Sequence, residues 1–386
     1  MASERIRVGL IYSFDTRWIA GTYYIVNLVH ALNVLPDDEK PHIVILSFGD
    51  EGHDLLKVIQ YPYIDFQSLN YLPPLHKRVI NKLTRLISDK NIFRTVYSDR
   101  ELNLIFPYFH VTSLSELTHK IYWIPDFQYE FLSSFFSEKE LALRRSAAEI
   151  HAKKGPPLVL SSKDALSHFR KFYPDSESPA FVINFAVTHP NISGLDVKEV
   201  KKKYDIKGPY YFAPNQFWIH KNQIVILKAV QLLKEQGKKG VQIVFSGKED
   251  DHRQPDYTKG LKKYAEEHGL GEQVSFLGFI DREDQLLLMK ESIAVIQPSL
   301  FEGWSTVIED AKAIGKYVLA SDLDVHHEQL REGVDFFDPS DPEALAVLLC
   351  KYEETAPLSP SPDSYKLNRL KFGQDFMSMV HAVLKK

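Results

Sequence analysis

A single cysteine, Cys350, among 386 residues leaves no partner for a disulfide within the chain, and it makes a cysteine-based zinc site a poor expectation. The scarcity accords with a reducing compartment. No apolar run approaches the ~20 residues that a membrane-spanning helix requires. Residues 1–7 do not show the basic start and following apolar core of an export signal. The expectation is a cytoplasmic protein, with a resting place on the inner face of a membrane left open. There is no large excess of either charge: 47 Lys and Arg against 51 Asp and Glu give a net charge of -4, which argues against a general nucleic-acid binder. What is present is apolar material, 44% of residues, enough to build cores and to argue against disorder.

That material is arranged in alternation. Strand-like runs occur at 6–13, 42–48, 102–106, 121–124 and 158–161, with a loop at 14–20 and a helical spacing at 23–35. After a polar stretch at 188–208 a second series begins. Its strands are expected at 210–213, 241–246, 274–277, 294–297 and 317–320, and its helices at 222–233, 258–268, 284–291 and 307–314. The order predicts two doubly wound parallel α/β domains, residues 1–187 and 188–349. Residues 350–386 hold a Pro/Ser-rich linker at 355–364 and an amphipathic helix at 372–384. Open parallel sheets bind ligands beyond the carboxyl ends of their strands, so two facing sheets place a site in the cleft between them.

The most informative stretch is 298–315. A strand ends near Gln297, a glycine-containing loop follows, and a helix starts near Thr306. The backbone amides of Gly303, Trp304, Ser305 and Thr306 are placed to point from that helix N-terminus at a phosphate. Thr306 and Glu309 have capping-box spacing, which makes Glu309 structural. Asp310 lies about 100° further round the helix. With Glu302 in the loop before it, two acids bracket the turn, and carboxylates accept the hydroxyls of a sugar nucleotide well. A capped surface helix with incidental acids is the alternative.

The segment resembles the E-x7-E motif of family 4 retaining glycosyltransferases, which have the GT-B fold. Glu302 matches the first acid and Asp310 the second, with Asp in place of Glu. The resemblance implies that Glu302 holds the donor sugar's hydroxyls and Asp310 the nucleotide ribose. Trp123-Ile-Pro-Asp-Phe-Gln128 followed by Phe135-Phe-Ser137, the run Asn215-Gln-Phe-Trp-Ile-His-Lys-Asn222, and Ser321-Asp-Leu-Asp-Val-His-His-Glu-Gln329 are similar to a bacterial polysaccharide-type branch of that family. The likeness covers most of the chain and is strongest over 210–339. It implies a GT-B protein of two Rossmann-like domains: an acceptor domain, then a donor domain, with the last helix crossing back to the first. It further implies a retaining, metal-independent, hexosyltransferase-type enzyme without a cofactor. Such an enzyme moves a sugar from a nucleoside-diphosphate sugar to a glycan or lipid-linked glycan acceptor in cell-surface polysaccharide synthesis. A GT-B sugar-nucleotide epimerase and a non-catalytic nucleotide- or glycan-binding module are the rival readings.

Other residues are read beside this frame. Lys221 opens a helix after a strand and matches the family's diphosphate-binding lysine; a solvated helix-start lysine is the plainer alternative. Relatives carry an arginine five or six residues earlier, where this chain has Gln216 and Asn215. Either those amides serve by hydrogen bonding or another cation, such as Lys248 after Gly247, replaces the charge. Gly21 is expected to close the first loop and let donor phosphate approach, or merely to punctuate it. Asp126 follows Pro125, which stands where many relatives have His; it is a candidate sugar or acceptor contact, or a turn cap. Gly278 and Phe279 match the strand end that lines the nucleobase pocket, with a core role as the alternative for Phe279. Asp322 and Asp324 resemble a metal motif of a different glycosyltransferase fold, a reading rejected here, and His326 and Glu328 are expected to order their loop. Residues 75–87 form a basic amphipathic helix. Leu75, Val79, Ile80, Leu83, Leu86 and Ile87 are on it, with Lys77, Arg78, Lys82 and Arg85 on other faces. It suits either an anionic membrane or packing on a core.

Overall fold

The computed structural model describes residues 5–15, 19–70, 73–88, 96–108, 111–153, 155–251 and 253–385. In the first half the strands are β1 (Arg7–Ile11), β2 (His42–Ser47), β3 (Ile64–Ser68), β4 (Leu104–Phe106), β5 (Tyr122–Ile124), β6 (Leu158–Leu160) and β7 (Ala180–Val182). The helices are α1 (Ile19–Asn33), α2 (His53–Lys57), α3 (Leu75–Ser88), α4 (Gln128–Phe131), α5 (Glu138–Lys153) and α6 (Lys163–Phe172). A four-stranded sheet in the order β3-β2-β1-β4 and a three-stranded sheet β5-β6-β7 are joined by one bridge, Ile105 to Lys120. All of these pairings are parallel, with Leu10 facing Ile45 on one side and Phe106 on the other. Strands covered on both faces read as unbroken apolar runs, which is why β1 and β2 are plain in the sequence.

The second half contributes α7 (Val197–Lys203), β8 (Tyr211–Ala213), α8 (Gln223–Glu235), β9 (Ile243–Phe245), α9 (Tyr257–Glu267), β10 (Val274–Phe276), α10 (Arg282–Glu291), β11 (Val295–Gln297), α11 (Thr306–Ile314), β12 (Val318–Ser321), α12 (Asp324–Gln329), β13 (Val334–Phe337) and α13 (Pro342–Glu354). One parallel sheet runs β10-β9-β8-β11-β12-β13. Chain order reverses between β8 and β11, so the crevice beyond their carboxyl ends lies between the loops 214–222 and 298–305.

The last helix, α14 (Tyr365–Leu384), starts seven residues before the expected 372 and packs along α1. Phe372 and Phe376 are fully buried in the first half's core, beside Tyr24, Leu28 and Phe106. Gly373 permits the close approach, since a Cβ there would lie 2.5 Å from the Ala31 carbonyl oxygen. The polar stretch at 188–208 holds α7, started by Asp196, whose side chain accepts the Lys198 N–H at 2.8 Å. α1 also begins earlier than expected, so Gly21 is the third residue of that helix rather than the end of a loop. Among the described residues, no helix is long and apolar enough to cross a membrane.

Candidate functional site

The loop after β8 is fastened before it reaches the crevice. Asn215, buried, donates through Nδ2 to Gln297 Oε1 at 3.0 Å, tying the carboxyl ends of β8 and β11 together. The Gln216 carbonyl accepts from Gln223 Nε2 at 2.9 Å. The Asn215 amide thus gives one of its two N–H donors to the scaffold. Lys221 follows one turn later and crosses to the other loop, with Nζ 2.5 Å from Glu302 Oε1. That carboxylate also accepts from Ser299 Oγ at 2.7 Å and Gln297 Nε2 at 2.8 Å. Burial pushes the Glu302 carboxyl up, but Lys221 and the hydroxyl of Ser299 outweigh it and leave it below its ordinary value. The lysine is thus no free helix-start residue, and the acid it holds is ionised.

The first half closes on this pair through the turn after β5. A Cβ on Gly303 would lie 2.3 Å from the Pro125 carbonyl oxygen and 2.8 Å from Asp126 Cβ. Asp126 Oδ1 accepts the Gln128 N–H at 2.9 Å, so it does cap its turn, while also facing the Lys221–Glu302 pair. Burial, with the charge of Glu302 added, holds its carboxyl above the ordinary range despite the Gln128 amide, Arg144 and Lys221.

α11 departs from expectation at its start. Its N-cap is Ser305, whose Oγ accepts the Ile308 N–H at 3.3 Å; Thr306 is the first helical residue, and no Thr306–Glu309 box forms. The Ser305 amide is taken by Gln329 Oε1 at 3.1 Å. The amides of Gly303, Trp304 and Thr306 have no intrachain acceptor among the described residues. Glu309 is structural through other bonds: it accepts from Lys312 Nζ at 2.7 Å, Gln329 Nε2 at 2.9 Å and Tyr365 Oη at 2.5 Å. Trp304 donates through its indole to the Phe185 carbonyl at 3.1 Å. It lines a cavity of about 340 Å³ with Phe185, Pro360 and Tyr365, a cavity that neither Lys221 nor Glu302 lines.

Asp310 is the largest difference from the sequence reading. Its side chain is 2% exposed, and both oxygens are engaged: Oδ2 with Arg282 Nη1 at 2.8 Å, Oδ1 with Arg282 Nη2 at 2.5 Å and His189 Nε2 at 2.8 Å. Burial pushes this carboxyl up, yet Arg282 and His189 bring it down to about 2. A bidentate arginine fork, rather than a hydroxyl, satisfies it. Nothing near Asp310 in sequence announces Arg282 or His189, which lie 28 and 121 residues away.

Towards the edge of the crevice, Gly278 has φ +68 and its carbonyl accepts the Gly247 N–H at 2.8 Å. Phe279 is 77% exposed, which ends its core reading and leaves a ring face open at this strand end. Lys248 is half-buried, and its carbonyl accepts the Phe217 N–H at 3.0 Å. Asp322 pairs with His327 at 2.5 Å on the surface, and no group of three or more potential metal ligands occurs among the described residues. His326 is buried with Nδ1 on the Ser321 carbonyl at 2.8 Å, as expected of a loop-ordering residue. Glu328 does more than order its loop. It accepts the Lys163 and Asp164 amides at 2.9 and 3.2 Å, capping α6 from the other half. Sequence reasoning missed Asp251 and Arg253, which gather with Phe136, Trp218 and His220 of the quoted motifs without any periodic signal.

Residues 196–366 match the family described as glycosyl transferases group 1. The chain is 24% identical over 179 residues to the O-antigen chain mannosyltransferase RfbU of Salmonella typhimurium, 46% of this chain and 45% of that protein. It is 24% identical over 145 residues to the capsular polysaccharide biosynthesis glycosyltransferase CapH of Staphylococcus aureus, 37% of this chain and 39% of that one. The matched portions thus span less than half the length of either relative. The crystal structure of Anabaena HepE in complex with UDP and glucose superposes with a TM-score of 0.66 at 15% identity, covering 98% of this chain and 100% of that one. The architecture is GT-B.

Proposed function

From the match of residues 196–366 to the group 1 glycosyl transferases, we propose that the protein is a retaining, metal-independent glycosyltransferase of cell-surface polysaccharide synthesis. It moves a sugar from a nucleoside-diphosphate sugar to a hydroxyl of a glycan or lipid-linked glycan. The observation that carries this reading is the meeting of Lys221 and Glu302 at 2.5 Å in the crevice, beneath the Pro125–Asp126 turn of the other half. The bond from the anomeric carbon to the diphosphate breaks, and charge collects on the departing phosphate. The Lys221 ammonium and the open amides of Gly303 and Thr306 are suited to that charge. Glu302 stays fixed by Ser299 and Gln297 and is left to accept sugar hydroxyls. The acceptor oxygen attacks the same face, and its proton passes to the β-phosphate, so no protein base is required.

The reading extends to where the protein works. α3 exposes Leu75, Val79, Ile80 and Leu83 at 73, 49, 38 and 55% respectively, with Lys77, Arg78 and Lys82 on the same helix. This face suits the anionic inner surface of a membrane carrying the acceptor. The side chains of Arg85, Leu86 and Ile87 lie outside the described residues.

The test is a screen of UDP-, GDP-, ADP- and TDP-sugars with glycan acceptors, reading nucleotide release and the anomeric configuration of the product. Transfer with retention and undiminished by excess chelator is expected. Inverted product, or activity abolished by chelator and restored by manganese, overturns the mechanism. Epimerised donor in the absence of acceptor replaces it with the epimerase.

A further inference from the structure

The crevice holds a buried guanidinium that the chain itself does not use. Arg253 lies in the loop after β9, the strand paired beside β8, so this loop borders the one that carries Lys221. Its side chain is 6% exposed. Its Cζ sits 4.8 Å from the ring centroid of Phe136, from the first half, and 5.0 Å from that of Trp218, from the second. No side-chain N–H of Arg253 has a hydrogen-bond acceptor among the described residues, and Nε is buried without one. Asp251 stands 3.5 Å from Nε, too wide and misdirected for a bond, and its own Oδ2 is buried and unpartnered. Next along, the Trp218 ring is 5.6 Å from that of His220, which is 4% exposed with Nδ1 buried and unpartnered. Burial holds His220 neutral, well below its ordinary value, and the charges of Lys221 and Arg253 add to this.

Three buried polar atoms without partners in one cluster are uncommon, because each carries its full desolvation penalty. The guanidinium lies over both rings, with Asp251 at its Nε edge. The other edge, Nη1 and Nη2, is free to donate two parallel bonds, the geometry that fits a phosphate. The position also answers a deficit. The resemblance expects an arginine at 215 or 216, and the chain has the uncharged Asn215, which donates one N–H to Gln297, and Gln216.

We propose that Arg253, with the His220 ring beside it, binds the diphosphate of the donor opposite Lys221, supplying from the β9 loop the cation that the β8 loop does not carry. This rests on the transferase reading above. It takes the role from Lys248, which shares the loop.

The experiment measures binding of UDP, GDP and ADP, and of the matching monophosphates, by calorimetry, to the full chain and to R253M, R253K and K248M. The methionine keeps most of the stem between the two rings. R253M should weaken diphosphate binding ~10–100-fold, the range for a lost hydrogen bond to a charged group. Monophosphate binding should change much less, and R253K should fall between. A purely structural clamp would weaken both nucleotides alike, and that result overturns the assignment. So does loss confined to K248M. Absence of diphosphate binding by the unsubstituted chain overturns the transferase reading itself, whereas diphosphate binding kept by R253M overturns only the role of Arg253. Thermal unfolding of each variant without nucleotide separates a folding defect from a binding one. If R253M does not fold, R253K decides: unchanged selectivity for diphosphate over monophosphate means that the fork geometry is not used, and sinks the proposal.

Discussion

Lys221 and Glu302 neutralise each other inside the crevice, and removal of either leaves a buried charge alone. Lys221→Met should therefore do two things. The rate constant should fall ~10²–10³-fold with little change in KM, since a fixed ammonium matters most as charge develops on the leaving phosphate. The unfolding temperature should also drop, because Glu302 stays desolvated. Adding Glu302→Gln should restore the temperature and not the rate; a double variant that regains activity would remove Lys221 from the chemistry. Asp310 leads to a different prediction. Its carboxyl is held at about 2 against an ordinary 3.8. A depressed carboxylate contributes stability that is present above its unfolded value and is lost as pH falls through the folded one. The contribution is about 2 kcal/mol, disappearing between roughly pH 4 and pH 2. Asp310→Asn should lower stability at pH 7 and flatten this acid limb in denaturant titrations. An unchanged acid limb would show that the Arg282–His189 fork is not maintained in solution. A carboxylate that the motif alone assigns to a ribose is, in the folded chain, the anchor of a buried ion cluster.

Elements differ in how plainly they are written. β1, β2, β8 and β11 are covered on both faces and show as apolar runs. β3 runs Ile-Asp-Phe-Gln-Ser at a sheet edge with no fully buried residue, and β7 is half-buried throughout, so neither stands out from a loop. α5 was missed because only Ala148 and Ala152 of its sixteen residues are buried, too thin a stripe to mark a helix face. At α11 two adjacent hydroxyl residues compete for the cap, and the sequence does not distinguish Ser305 from Thr306; Gln329, twenty-four residues on, settles it by binding the Ser305 amide and carbonyl. α3 was legible because its apolar and basic residues separate cleanly, and its exposed face yields an element-scale prediction. Val79→Asn with Leu83→Asn should leave the unfolding temperature nearly unchanged, since both residues are about half exposed. Co-sedimentation with phosphatidylglycerol vesicles should fall sharply. Equal sedimentation of the variant and the parent chain would leave α3 as an ordinary solvated helix.

At the scale of the whole molecule, the two halves are joined by contacts that local patterning cannot show. Trp304 bonds Phe185, Glu309 bonds Tyr365 at the root of α14, and Glu328 caps α6. These fix the register in which the Pro125–Asp126 turn meets the 298–305 loop, and at Gly303 the two approach too closely to admit a Cβ. A methyl group there would sit 2.3 Å from a backbone oxygen, which no side-chain rotation relieves. The backbone at Gly303 is not in the left-handed region, so alanine does not strain the loop itself. Gly303→Ala should consequently leave each half folded and lower nucleotide binding only modestly, since the Lys221–Glu302 pair stays within the second half while the Gly303 amide and the Phe136 contact to Arg253 are disturbed. It should displace Asp126 and the acceptor side from the donor sugar, and misplacement by about 1 Å can cost ~10²-fold in rate. The measurement is kcat/KM for transfer alongside the dissociation constant for the bare diphosphate. Full transfer activity in Gly303→Ala would mean that the sugar is passed in an arrangement of the halves other than the closed one described above.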